Sequence, residues 1–107
     1  MEYIERKSID WEKTGKNLQI LRAHNMNLIR QVCYELNYEK GQCSGDCDNC
    51  RYDIDINISR AELAQIFNVS ESVVTNWENG RTPVSIEDML LYCQISKVTL
   101  EDIIVYE

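Results

Sequence analysis

Turn-forming residues are scarce in this chain of 107 residues, which has one proline, Pro83, and only four glycines. That number is too small for the tight hairpins of a many-stranded sheet, so the sequence predicts an all-α protein. No apolar run approaches the roughly 18 residues of a membrane-spanning helix, and no signal-peptide pattern is present, so we expect a cytoplasmic protein without membrane contact. The single histidine, His24, has no motif around it. An enzyme is therefore not expected.

Positive charge is also in deficit. Eleven Lys and Arg residues stand against eighteen Asp and Glu, which gives a formal net charge of -7, and residues 59–107 hold only three of the basic residues but eight of the acidic ones. Bulk electrostatics would therefore not draw the chain to a phosphate backbone or an anionic membrane. Nucleic-acid binding, if it occurs, must depend on specific contacts and dimerisation.

The N-terminal half shows helical periodicity. Apolar residues recur at spacings of three and four from Leu18 to Leu36, which is typical of amphipathic helices. We predict an arm over residues 1–13 and a first helix over 14–26. The segment His-Asn-Met-Asn at 24–27 leaves open whether one long helix continues or a second begins, capped by Asn27 and running from Leu28 to about Tyr38.

The C-terminal half has clear helix punctuation. Ser59 and Glu62 form a capping-box pattern, so a helix should begin at Arg60. Asn68 suits a left-handed turn, Ser70 should cap a helix that runs through Asn79, and Gly80 should end it. Two further cap patterns predict two more helices, and the residues expected in their apolar faces are Ile86, Met89, Leu90, Cys93, Leu100, Ile103 and Ile104.

Two short helices joined at Asn68 and Val69 have the connection of a helix-turn-helix. The run ISRAELAQIFNVSESVVTNWENGRTPVSIEDMLLYCQISKVTLEDII, residues 58–104, resembles the five-helix DNA-binding domain of the Cro and phage-repressor type, the XRE family. Residues 14–22 resemble its first helix. The resemblance implies a single domain over 1–107, in which helices two to five occupy 59–107. Residues 27–58 would be an insertion of a helix and a cysteine loop, where the family has only a few residues.

The resemblance also implies roles for individual residues. Contacts to the DNA backbone would come from Arg60, Ser70, Asn79 and Arg81, and contacts to base edges from Glu71, Ser72, Thr75 and Asn76. Arg22 and Glu78 match a structural ion pair of the family, whereas Val69, Val74 and Trp77 should face the core.

These roles predict a sequence-specific transcriptional regulator that binds double-stranded DNA at a palindromic operator as a homodimer. The residues from Ile103 to Tyr106 would supply the dimer contact or close the protein's own core. The alternative is a protein-interaction module that keeps the repressor fold, has lost DNA binding and binds a protein partner.

The insertion carries a cysteine cluster. Cys43, Cys47 and Cys50 lie close enough in sequence to bind one ion, and a fourth ligand would complete a tetrahedral zinc site. Cys33 is the first candidate for it, ahead of His24, Asp46 and Asp48, and Cys93 is expected in the core. A structural zinc site is the leading interpretation, and redox-active thiols, a disulfide or an iron–sulfur cluster in a redox-sensing regulator stay open.

Overall fold

The computed structural model describes residues 8–37 and 58–107, and the all-α prediction is confirmed for them. Extended pairing within these residues is limited to one isolated antiparallel bridge between Ile9 and Tyr106. The described ranges form six helices: α1 (Trp11–His24), α2 (Met26–Asn37), α3 (Arg60–Phe67), α4 (Glu71–Glu78), α5 (Ile86–Ser96) and α6 (Leu100–Ile103). No helix in the described ranges is both long and apolar enough to span a membrane.

The N-terminal region forms two helices, which decides between the two alternatives. The first begins at Trp11, three residues before the predicted start, because the Asp10 side chain accepts a hydrogen bond of 3.0 Å from the Lys13 amide. It ends at His24, and the C-cap residue, Asn25, has an extended backbone. The prediction that Asn27 caps the second helix is wrong, because Asn25 Oδ1 accepts from the Leu28 amide at 2.9 Å.

One continuous core joins the helices. Three aromatic rings lie at its centre, with centroid distances of 5.7 Å between Phe67 and Trp77 and 4.5 Å between Phe67 and Tyr92. The buried hydrophobic residues are Leu18, Leu28, Ile29, Val32, Ile58, Leu63, Ala64, Phe67, Val74, Trp77, Val84, Met89, Tyr92 and Ile103. Core packing is the main stabilising term for helices this short.

Helix α5 departs from its predicted apolar face. Met89 is buried as expected, but Ile86 and Leu90 are 62% and 52% exposed, and the fully buried aromatic residue is Tyr92. The prediction failed because α5 is apolar over much of its circumference, so its sequence does not reveal which stripe meets the core. Cys93 is half-buried and packs against the core, as predicted.

The two ends of the described chain are held together. The Asp10 amide donates to the Val105 carbonyl at 2.7 Å, and the Val105 amide donates to the Thr14 hydroxyl at 3.0 Å. Asn17 Nδ2 donates to the Ile103 carbonyl at 2.8 Å, and Ile103 is buried. The segment after α6 is therefore fixed against α1, and Ile103 closes the protein's own core.

Helix α2 is the part of the predicted insertion that the structure describes. It packs against α3 and α5 through Leu28, Ile29 and Val32, which are buried. The cysteine loop lies outside the described residues. Ile58 is buried and joins the core immediately before α3.

Candidate nucleic-acid interface

Helices α3 and α4 form a tight helix-turn-helix. The Ser59 hydroxyl accepts from the Glu62 amide at 3.1 Å while the Glu62 carboxylate accepts from the Ser59 amide at 3.1 Å, which confirms the predicted capping box. Asn68 adopts the left-handed conformation at φ 55°, as predicted, and the Val69 amide closes the helix end by donating to the Ala64 carbonyl. Only residues 68–70 separate the two helices.

The end of α4 is fixed by a second reversal of the chain. Gly80 lies at φ +72°, its amide donates to the Trp77 carbonyl, and the Arg81 amide donates to the Asn76 carbonyl at 2.9 Å. This pair of bonds is a Schellman motif, which explains the glycine. Arg81 is thereby held at a defined position just beyond α4, with its side chain exposed.

Helix α4 has one inward and one outward face. Val74 and Trp77 are buried as predicted, and Glu71 and Ser72 are exposed. Thr75 and Asn76 are half-buried, so they are less exposed than a freely solvated helix face. The Thr75 hydroxyl donates to the Glu71 carbonyl at 3.1 Å, which satisfies its polar group within the helix.

The start of α4 differs from the predicted cap. Ser70 occupies the N-cap position, but its side chain makes no capping hydrogen bond. Its hydroxyl lies 3.0 Å from the Ser72 hydroxyl instead. Both serines are exposed, so two hydroxyl groups lie together at the first turn of the helix.

A buried carboxylate connects α4 to the rest of the domain. The Glu78 side chain is fully buried; its Oε2 accepts from Arg22 Nε at 2.8 Å and its Oε1 accepts from Arg22 Nη2 at 3.0 Å. Hydrogen bonding to the Glu78 carboxylate raises the pKa of Arg22 above its ordinary value. The expected structural pair is therefore present, and Arg22 Nη1 also donates to the Ile58 carbonyl at 2.8 Å.

Glu78 has a second cationic partner that the sequence did not predict. Arg60 Nε donates to Glu78 Oε1 at 2.9 Å. No local spacing points to this contact, because the two residues are 18 positions apart and meet only when α3 and α4 pack. Arg60, expected from the resemblance to touch a phosphate, thus lies against Glu78, the last residue of α4.

The structure describes only some of the residues of the predicted metal site. Cys43, Cys47 and Cys50, together with Asp46 and Asp48, lie outside the described residues. Cys33 lies one turn before the end of α2, where its carbonyl accepts from Asn37 Nδ2 at 2.9 Å. His24 is exposed at the last residue of α1. Residues 8–37 and 58–107 alone contain no group of three potential metal ligands.

A short two-helix unit with an outward-facing second helix on a helical core is the arrangement of helix-turn-helix DNA-binding domains, and α3 and α4 have this arrangement. Residues 55–103, a little under half of the chain, match the sequence model of the family described as Helix-turn-helix. The match supports a DNA-binding regulator of the XRE type, a family that is not typically enzymatic. No curated protein and no solved structure matches the chain.

Proposed function

We propose that this protein is a sequence-specific transcriptional regulator that reads duplex DNA with the outer face of α4. The observation that carries the proposal is the helix-turn-helix itself: α4 is held by the core on one side and presents Glu71, Ser72, Thr75 and Asn76 on the other. Residues in this position of a recognition helix enter the major groove.

Asn76 is the principal base-reading residue in this proposal. Its amide can pair bidentately with adenine, and the Thr75 methyl can contact a thymine methyl, since the Thr75 hydroxyl is already bonded within the helix. Glu71 can accept from cytosine N4. Ser70, Asn79, Arg60 and Arg81 contact the sugar–phosphate backbone and set the register.

The regulator acts as a homodimer on a palindromic operator. A recognition helix without Lys or Arg, in a chain of net charge -7, gains little from bulk attraction, so two copies are needed for a stable complex. Ile86 and Leu90, one turn apart on α5, form an exposed apolar pair suited to such a contact. We expect a dimer in sedimentation experiments and selected half-sites about 10 base pairs apart.

Selection from randomised duplex DNA across a salt series tests the proposal. Asn76→Ala should relax preference at one base position, and Arg81→Ala should weaken binding to all sequences and reduce the salt slope by about 1. Gln94→Ala, an exposed change on α5, is the control and should leave binding unchanged. If no sequence is enriched at low salt, the protein is instead an interaction module with a protein partner.

A structural zinc ion in the insertion is the second part of the proposal. It rests on the sequence spacing of Cys43, Cys47 and Cys50, with Cys33 near the end of α2 as the fourth ligand. Metal analysis of freshly purified, reduced protein should give about one equivalent of zinc, and Cys43→Ser should remove it. Cys93→Ser is the matched control. Iron, or no metal in the unaltered protein, would favour the redox-sensing alternative.

A further inference from the structure

The cluster around Glu78 holds more positive than negative charge. One carboxylate accepts three hydrogen bonds from two guanidinium groups, those of Arg22 and Arg60. Two guanidinium groups stand against one carboxylate, so the three side chains carry one formal positive charge in excess. This excess lies where the first residue of α3 meets the last residue of α4, immediately before Asn79 and Arg81 in the chain.

The two arginines play different parts. All three guanidinium nitrogens of Arg22 donate hydrogen bonds within the protein, two to Glu78 and one to the Ile58 carbonyl. The Arg22 side chain is only 17% exposed. Arg60 uses Nε alone and is 31% exposed, and its two Nη groups have no partner among the described residues. With respect to the described part of the chain, Arg60 therefore keeps its terminal donors available.

Burial of Glu78 alone does not require Arg60. A buried carboxylate must be paired, and the two-point contact from Arg22 already pairs it with fork-to-fork geometry. Arg60, whose Nε lies 2.9 Å from Glu78 Oε1, is a second cation that Glu78 does not need for charge neutrality. The contact with Glu78, however, fixes the position of the Arg60 side chain. The contact restrains a long side chain that would otherwise sample many rotamers.

We propose that Glu78 is a positioning residue for phosphate recognition, which holds Arg60 through Nε so that its Nη groups donate to a DNA phosphate beside the start of α3. This inference rests on the proposed function. A planar guanidinium with both terminal groups available matches the geometry of phosphate oxygens, and a restrained side chain loses less entropy when it binds. The DNA backbone at the C-terminal end of α4 would then be contacted by Arg60, Asn79 and Arg81.

Arg60→Gln is the primary test, measured on the operator selected by the unaltered protein. It removes the charge while Arg22 still pairs Glu78, so the fold is retained. Affinity should fall about tenfold, the salt slope should fall by about 0.9 for each protomer, and sequence preference should not change. Lys97→Gln, which removes an exposed charge at the end of α5, should leave both quantities unchanged.

Glu78→Gln separates positioning from simple charge. It removes a negative charge, so bulk electrostatics alone predicts tighter DNA binding, whereas loss of the anchor for Arg60 predicts weaker binding and a smaller salt slope. Arg60→Lys should keep the slope and lose part of the affinity, because ammonium does not bind bidentately. Where Glu78→Gln does not fold, the Arg60 variants decide alone.

The inference is overturned if Arg60→Gln leaves affinity and slope as they were, or if folded Glu78→Gln binds DNA as tightly as the unaltered protein. Failure of the proposed function has a different signature, since the unaltered protein would then select no sequence at all.

Discussion

Gly15 in α1 lies directly against the last turn of α4, where a Cβ added to Gly15 would stand only 2.7 Å from the carbonyl oxygen of Glu78. The atoms of α4 that face Gly15 belong to the backbone, so they cannot move aside by a change of side-chain rotamer. The close approach sets the position of the proposed recognition helix relative to α1. Gly80 meets α1 in a similar way, because a Cβ there would lie 2.7 Å from the Glu12 nitrogen.

Gly15→Ala should therefore destabilise the protein, although alanine is the better helix former. Overpacking against backbone lowers the free energy of unfolding by about 1–3 kcal/mol, which exceeds the gain of about 1 kcal/mol in helix propensity. Urea denaturation measures the change. The exposed neighbour in the same helix, Lys16→Ala, should have almost no effect. A more stable Gly15→Ala protein would show that α1 and α4 are further apart than described.

Two serines at N-cap positions should respond differently to alanine. The Ser85 hydroxyl accepts from the Asp88 amide at 3.2 Å and donates to the Asp88 carboxylate at 2.9 Å, so Ser85→Ala should lower the free energy of unfolding by about 1 kcal/mol. Ser70 makes no side-chain cap, so Ser70→Ala should change stability by less than about 0.5 kcal/mol. Equal losses in thermal unfolding would mean that Ser70 caps α4 in solution.

Lys97 ends α5 in the left-handed conformation, at φ 58°. This backbone costs about 1 kcal/mol for a residue with a Cβ and nothing for glycine, so Lys97→Gly should stabilise the protein slightly. The same change one turn earlier, Gln94→Gly, lies inside α5 and should lower the free energy of unfolding by about 1 kcal/mol. Denaturation curves in which both glycine variants lose stability would contradict the assigned conformation.

Asp102 should contribute to stability in a pH-dependent way. Hydrogen bonds from the Thr99 amide, at 2.9 Å, and from the Thr99 hydroxyl hold its pKa below the ordinary value. A lowered pKa in the folded state means that the contribution is complete above the ordinary pKa of an aspartate and is lost as pH falls through the lowered value. The stability difference between the unaltered protein and Asp102→Asn should shrink towards acidic pH. A constant difference would show that the carboxylate charge plays no part.

Local features of the fold were predictable. The Ser59 capping box, the start of α3 at Arg60 and the left-handed Asn68 follow from residues within three or four positions of one another. The same applies to the chain reversal at Gly80. The start of α1 was missed by three residues, because the cap at Asp10 precedes the apolar pattern that marks the helix.

The sequence alone determined that the proposed DNA interface is a helix-turn-helix, and it determined which residues lie on the outer face of α4. Only tertiary structure decided that Tyr92 rather than Leu90 enters the core, and that Arg60 meets Glu78. The physical reason is how far apart the contacting residues lie along the chain. A cap or a turn is settled by neighbours along the chain, whereas a contact between residues 18 or 56 positions apart exists only after helices have packed and fixed which faces meet.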